Sequence, residues 1–208
     1  MATGIQKKAD LAAIFAGGGG TRMGGIDKGA ILLGGKPLCE IVAGRLEPQA
    51  DAIAVLAPAQ PAWLVNIADA HWIVDSPGAK GPGAGLLAAL HWLRKEMGPD
   101  AVLLTSPVDA PFLPNDLFVQ LEATRRKAAA PAAIVRHADG LHPVFGVWQA
   151  SCASFVEQAA QNERALHRIA LGAGAVLCEA WTGALPDPFT NLNSPEDVAL
   201  AENILNVR

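Results

Sequence analysis

Short apolar runs alternate with amphipathic segments along most of the chain, a pattern that predicts a β-sheet covered by helices. Leu11 to Phe15 reads as a buried strand, and a glycine-rich stretch follows it directly. Pro37 to Leu46 reads as a helix, with Pro37 near the first turn, where a missing N–H costs little. Ala52 to Ala57 is a second strand, and Trp72 to Val74 a short third strand ending at Asp75. In "GPGAGLLAALHWLRKEMG", Leu86, Leu87, Leu90 and Leu93 recur at helical spacing, and Gly98 is a natural stop. Ala101 to Thr105 is the next strand, and Asn115 is placed to cap a helix running to about Lys127. Two strands in "AAIVRHADGLHPVFGVW" are joined across Asp139-Gly140, a hairpin signal. Helices are expected over Ala150 to Gln161 and Arg164 to Leu171, with a late strand from Val176 to Ala180. The closing helix has Ser194 as N-cap, Pro195 first and Asp197 third.

Composition narrows the setting. The chain has 208 residues, 51% of them hydrophobic and 17% charged, enough apolar material for one well-packed domain. No repeat or linker divides it, so one domain over 1–208 is expected, with residues 1–9 as a flexible extension. A formal net charge of −4 argues against a nucleic-acid or acidic-membrane binder. No segment reaches the roughly 18 apolar residues of a membrane span, and no signal peptide is visible. Cys39, Cys152 and Cys178 are far apart, which suits reduced thiols in the cytoplasm.

The stretch "AGGGGTRMGG" sits where α/β proteins bind ligands, at the carboxyl end of a strand. Successive glycines let backbone N–H groups approach phosphate oxygens without a Cβ intervening. The dinucleotide fingerprint G-x-G-x-x-G fails in every register, and no Lys-Ser/Thr pair completes a Walker A loop. What remains is a loop carrying Arg22 and Lys28, two cations suited to a polyphosphate. Asp109 lies just past an apolar strand between Pro107 and Pro111, where a carboxylate would suit Mg²⁺. Asp75 stands at another strand end. No Ser/His/Asp or Cys/His constellation is present. His71, His91, His137 and His167 show no metal-ligand spacing and read as structural or surface residues.

At this point "FAGGGGTRMGGIDKGAILLGGKPL" resembles the N-terminal signature of the molybdenum cofactor guanylyltransferases, the MobA family. That signature reads L-A-G-G-x-x-x-R-M-G-G-x-D-K-G, then L-x-G-x-P-L. Gly17, Gly18, Arg22, Met23, Gly24, Gly25, Asp27, Lys28 and Gly29 fall in register. "DSPGAKGPGAGLLAAL", "SPVDAPFLPNDL", "HPVFGVW" and "FTNLNSPEDV" are similar to later family blocks, in the same order.

The resemblance implies a three-layer α/β/α, Rossmann-like nucleotidyltransferase fold with a mostly parallel sheet. It further implies transfer of GMP from GTP to molybdopterin or Mo-molybdopterin, with release of pyrophosphate. On this basis Arg22, Lys28 and Asp109 are the expected catalytic residues, with Asp109 also the Mg²⁺ ligand. Phe15, Ala16, Gly17, Gly18, Lys28, Asp75 and Asp109 are expected at the nucleotide, and His142, Arg164, Asn191 and Asn193 at the pterin. Molybdenum-insertion proteins and apo-molybdoenzymes are the macromolecular partners it suggests. Three departures stand out: Phe15 for the usual Leu, Ala165 at a neighbouring basic position, and Leu56 where the family often has Asn. Leu56 leaves transfer of CMP, or of another nucleotide by a related transferase, as the alternative. A non-catalytic nucleotide-binding adaptor that carries the cofactor is a third reading, and the retained Arg22, Lys28 and Asp109 argue against it.

Overall fold

Strand alternation sorts the side chains of this chain onto the two faces of one sheet. The computed structural model describes residues 8–17, 27–75, 81–161, 163, 165–183 and 187–206. The first half contains β1 (Leu11–Phe15), a small hairpin of β2 (Leu32–Leu33) and β3 (Lys36–Pro37), and α1 (Leu38–Leu46). It continues with β4 (Ile53–Leu56), β5 (His71–Ile73), α2 (Pro82–Met97) and β6 (Val102–Pro107). The second half holds α3 (Leu117–Lys127), β7 (Ala132–His137), β8 (Gly140–Gln149) and α4 (Ala153–Ala160). It closes with α5 (Leu166–Gly172), β9 (Val176–Cys178) and α6 (Pro195–Asn206).

Seven strands form one sheet in the order β5-β4-β1-β6-β8-β7-β9. Only β8 runs antiparallel to its neighbours β6 and β7, so the sheet is mostly parallel, as expected. Ala12 and Ile14 of β1 face a layer built by α1 and α3. Leu11 and Ala13 face the opposite layer of α2, α4 and α5. This is the α/β/α sandwich. A third, smaller core forms where α6 covers the β2–β3 hairpin, with Leu33, Leu38, Phe112, Leu192 and Ala201 buried together.

Several boundaries depart from the sequence expectations. The Gly34-Gly35 turn of β2–β3 has φ of +58° and +79°, a conformation glycine adopts freely, and this hairpin was not anticipated. Of the extension expected over 1–9, residues 1–7 lie outside the described residues, while Ala9 is fully buried and bridges to Ala50. Asn115 does not cap α3: the flanking residue is Asp116, and neither side chain caps the helix. The free Phe118 N–H of the first turn donates instead to Gln49 Oε1 at 2.9 Å, across elements distant in sequence. The strand expected at Trp72 to Val74 lies one residue earlier. By contrast Ser194 and Asp197 form the expected reciprocal cap of α6, with Ser194 N–H to Asp197 Oδ2 at 2.9 Å and Asp197 N–H to Ser194 Oγ at 3.2 Å. No helix among the described residues is long and apolar enough to cross a membrane.

Candidate active site

The switch point of the sheet lies at β1, where β4 pairs on one side and β6 on the other. Ligands of open α/β sheets bind at the carboxyl ends of strands at such a point. There the chain leaves β1 through Ala16 and Gly17 and returns at Asp27. Asp27 Oδ1 accepts the Gly29 N–H at 3.0 Å and so caps a 3₁₀ turn, Lys28–Ala30. Gly29 is the contact side of that turn. A Cβ added to it would lie 2.3 Å from Cε2 of Trp63, a buried indole on the 3₁₀ segment Ala62–Asn66. The turn is thus held from within by Asp27 and from behind by Trp63, and Lys28 projects from it in a set direction.

Lys28 Nζ donates to Asp109 Oδ2 and to Asn193 Oδ1, both at 2.6 Å. Asp109 follows β6, and the Val108 N–H beside it donates to Phe15 O at 3.1 Å, which ties the segment to the end of β1. The Asp109 carbonyl accepts the Leu192 N–H at 2.8 Å. Leu192 is fully buried under α6, so it anchors "NLN" by its middle residue while Asn191 and Asn193 line the cleft. The Asn193 N–H donates to Asp197 Oδ2 at 2.8 Å, so the cap of α6 also fixes this asparagine. Asp109 Oδ1 is buried and takes no hydrogen bond among the described residues. A hard cation would satisfy such an oxygen.

These groups line one cleft of about 770 Å³, with Phe15, Ala16 and Gly17 along the end of β1 and Ala57 to Ala62 as a wall. A smaller recess of about 110 Å³ adjoins it, sharing Phe15, Gly17, Pro58 and Pro82 and adding Leu56, Asp75 and Gly85. Gly85 keeps the recess open: a Cβ there would come within 3.3 Å of Asp75 Oδ1 and of the Phe15 ring. Burial raises the pKa of Asp75 above the ordinary carboxylate value.

A model of the MobA-like NTP transferase domain matches residues 12–175, which is most of the chain and, apart from Leu11, all of the sheet before β9. The chain belongs to the MobA-like NTP transferase family. Among relatives, the molybdenum cofactor guanylyltransferase of Cereibacter sphaeroides is 39% identical, with 92% of this chain and 95% of that protein covered. The protein of the same name from Rhodopseudomonas palustris is 35% identical over 94% of this chain and 92% of its own length. The crystal structure of molybdopterin-guanine dinucleotide biosynthesis protein A from Archaeoglobus fulgidus superposes with a TM-score of 0.75 at 26% identity, covering 95% of this chain and all of that one.

In this MobA-like chain the fold gathers Phe15, Ala16, Gly17, Lys28, Asp109, Asn191 and Asn193 around one cleft, with Asp75 in the adjoining recess. Gly18, Arg22 and Arg164 lie outside the described residues. His142 does not line the cleft. Its Nε2 lies 2.7 Å from Asp139 Oδ1, and its ring is 5.4 Å from that of Phe189; Val144 is the β8 residue that reaches the cleft. Sequence reasoning assigned no site role to Asp27, Gly29, Trp63 or Leu192, and gave Asp197 only the α6 cap; these residues position the others. The D-K-G block and the Asn-Leu-Asn alternation were visible signals; the Trp63 contact was not.

Proposed function

We propose that this chain transfers GMP from GTP to molybdopterin, releasing pyrophosphate. The observation that carries the reading is Lys28 Nζ held between Asp109 and Asn193 at the mouth of a cleft on the switch point of the sheet. The names of the relatives supply the substrates. The terminal phosphate of molybdopterin attacks the α-phosphorus in line; the new O–Pα bond forms as the Pα–O–Pβ bond breaks, and pyrophosphate departs. That phosphate is anionic at neutral pH, so no protein nucleophile or general base is needed. Lys28 neutralises charge on the polyphosphate, with Arg22 as the second cation of the same loop. Asp109, with its unpartnered Oδ1, would hold Mg²⁺. Bound there, the cation would neutralise phosphate charge and orient the α-phosphoryl group. The nucleoside lies along Phe15, Ala16 and Gly17, within reach of Asp75. Asn191 and Asn193 offer amides to the donor and acceptor edge of the pterin. Three free, buried cysteines support work in the reducing cytoplasm.

Leu56 favours a second reading, transfer of CMP, because it presents an apolar side chain to the recess where the family often has an amide. Pyrophosphate release from each of the four nucleoside triphosphates, with Mg²⁺ and molybdopterin, separates the two. GTP is expected to be preferred; preference for CTP would replace the guanylyl assignment. Nucleotide binding with no pyrophosphate release would indicate an adaptor instead.

A further inference from the structure

Away from the cleft, the β7–β8 hairpin gathers acceptor atoms that the transfer reaction does not use. His137 ends β7 and pairs with Gly140, while His142 lies across the turn on β8. His137 Nε2 sits 3.2 Å from the Trp181 carbonyl. A carbonyl only accepts, so Nε2 carries a proton, and in the neutral imidazole Nδ1 is then the atom left to act as a ligand. That Nδ1 is buried and has no hydrogen bond among the described residues, on a side chain only 8% exposed. It faces Asp187 Oδ1 at 3.6 Å and Asp139 Oδ1 at 3.9 Å, and Asp139 Oδ1 is in turn 2.7 Å from His142 Nε2. The donor atoms of His137, Asp139 and His142 lie within 4.8 Å of one another.

Nδ1 facing two carboxylate oxygens calls for positive charge between them, and at 3.6 and 3.9 Å a ring N–H would reach neither oxygen while a cation fits the gap. We propose that His137 Nδ1, His142 Nε2, Asp139 and Asp187 bind a divalent transition metal, with Zn²⁺ the ion their chemistry fits best. Two imidazoles and two carboxylates give the four-ligand nitrogen and oxygen set that zinc accepts, with bonds of about 2.0–2.2 Å. A tetrahedron of that size places ligands about 3.3 Å apart, so the 3.6 and 3.9 Å gaps to His137 Nδ1 close slightly and the 2.7 Å contact opens. Asp187, which stands outside the set of donors within 4.8 Å of one another, swings in toward Asp139 and His142. Asp139, 63% exposed on the turn, is free to make that adjustment. The His137 N–H to the Trp181 carbonyl is the outer-shell bond that usually orients a ligating imidazole. Phe189 packs against both imidazoles, at 5.4 Å from each ring, and restrains their orientation. The ion would cross-link the hairpin to the 187–189 segment, which runs on into Asn191 and Asn193. It is separate from the cation proposed at Asp109.

The test uses the tag-free full-length protein, stripped with chelator and held in excess Mg²⁺ to occupy Asp109. Titration with Co²⁺ is expected to give one tightly held ion per chain. Its visible spectrum should have tetrahedral intensity, lack thiolate charge transfer, and be abolished by added Zn²⁺. His137→Phe and Asp187→Asn should each weaken Co²⁺ binding roughly tenfold or more, and Asp109→Asn should leave it unchanged. Asp187→Asn keeps an oxygen for the Phe189 N–H, now at 2.9 Å, so it decides the matter if His137→Phe fails to fold. Absence of the spectrum, or binding insensitive to Asp187→Asn, or binding lost only in Asp109→Asn, overturns the proposal.

Discussion

Replacing Gly29 by alanine adds one methyl group behind the turn that presents Lys28. The new Cβ would stand 2.3 Å from Trp63 Cε2 and 2.6 Å from Cζ2. Ordinary carbon–carbon contact begins near ~3.5 Å, so the turn or the indole must move by about 1 Å. Trp63 is only 6% exposed and packs among Ile67, Val42 and their neighbours, so the turn is the part that yields. Moving Lys28 by that amount lengthens its 2.6 Å bonds to Asp109 and Asn193 beyond hydrogen-bond range. A displacement of about 1 Å at a reacting group costs on the order of 10²-fold in rate, and overpacking of this kind about 1–3 kcal/mol in stability. Pyrophosphate release under saturating GTP and molybdopterin should therefore fall roughly 10²-fold in Gly29→Ala. Much of that loss should return in the double variant Gly29→Ala/Trp63→Leu, which removes the ring but keeps an apolar side chain. Full activity in Gly29→Ala, or no recovery in the double variant, would refute the claim that Trp63 sets the position of Lys28.

Other perturbations reach different links. Asp109→Asn keeps the shape but removes the anion, and turnover should drop at least roughly 10²-fold while the cooperative melting transition persists; wild-type turnover would remove Asp109 from the mechanism. Leu192→Ala empties a fully buried position at a cost of about 2–5 kcal/mol, measured by urea unfolding, and should raise KM for molybdopterin as Asn191 and Asn193 lose their anchor. Burial works to raise the pKa of Glu122, but hydrogen bonds from Arg125 and Arg126 outweigh it and hold the carboxyl below its ordinary 4.5. A depressed carboxyl stabilises the fold above its unfolded pKa and loses that contribution as pH falls through the folded value. Wild-type stability should accordingly decline as acid is added from pH 4.5 downward. Glu122→Gln should lack that part of the slope and be about 3–5 kcal/mol weaker at neutral pH, with Arg125 left buried and unpaired. Equal pH dependence in the two proteins would show that the network carries no such linkage.

Local features and family motifs made much of this legible in the sequence. The strands of the central sheet are short apolar runs, and the cap of α6 is written within the four positions 194–197, so both could be placed from the chain alone. The D-K-G and V-D-A-P blocks pointed to Lys28 and Asp109 because motif and strand end coincide. What escaped depends on contacts distant in sequence. Gln49 caps α3 from 69 residues away, and no local signal marks it. His137 reads along the chain as a structural or surface residue, yet the hairpin register folds it and His142 against Asp139, with Asp187 beside its Nδ1. His142 was matched to a family motif for the pterin, but the turn directs it to Asp139 and Phe189. The Gly34-Gly35 dipeptide is itself a hairpin signal, missed because each strand it joins is only two residues long.

The most direct test of the central proposal follows the α-phosphate. The protein is incubated with Mg²⁺, molybdopterin and GTP labelled at that phosphorus, and the products are separated. The account predicts label in a molybdopterin dinucleotide, formed in step with unlabelled pyrophosphate and only when Lys28 and Asp109 are intact. Label that stays in GTP or appears as free GMP, or a dinucleotide that forms faster from CTP, would contradict it.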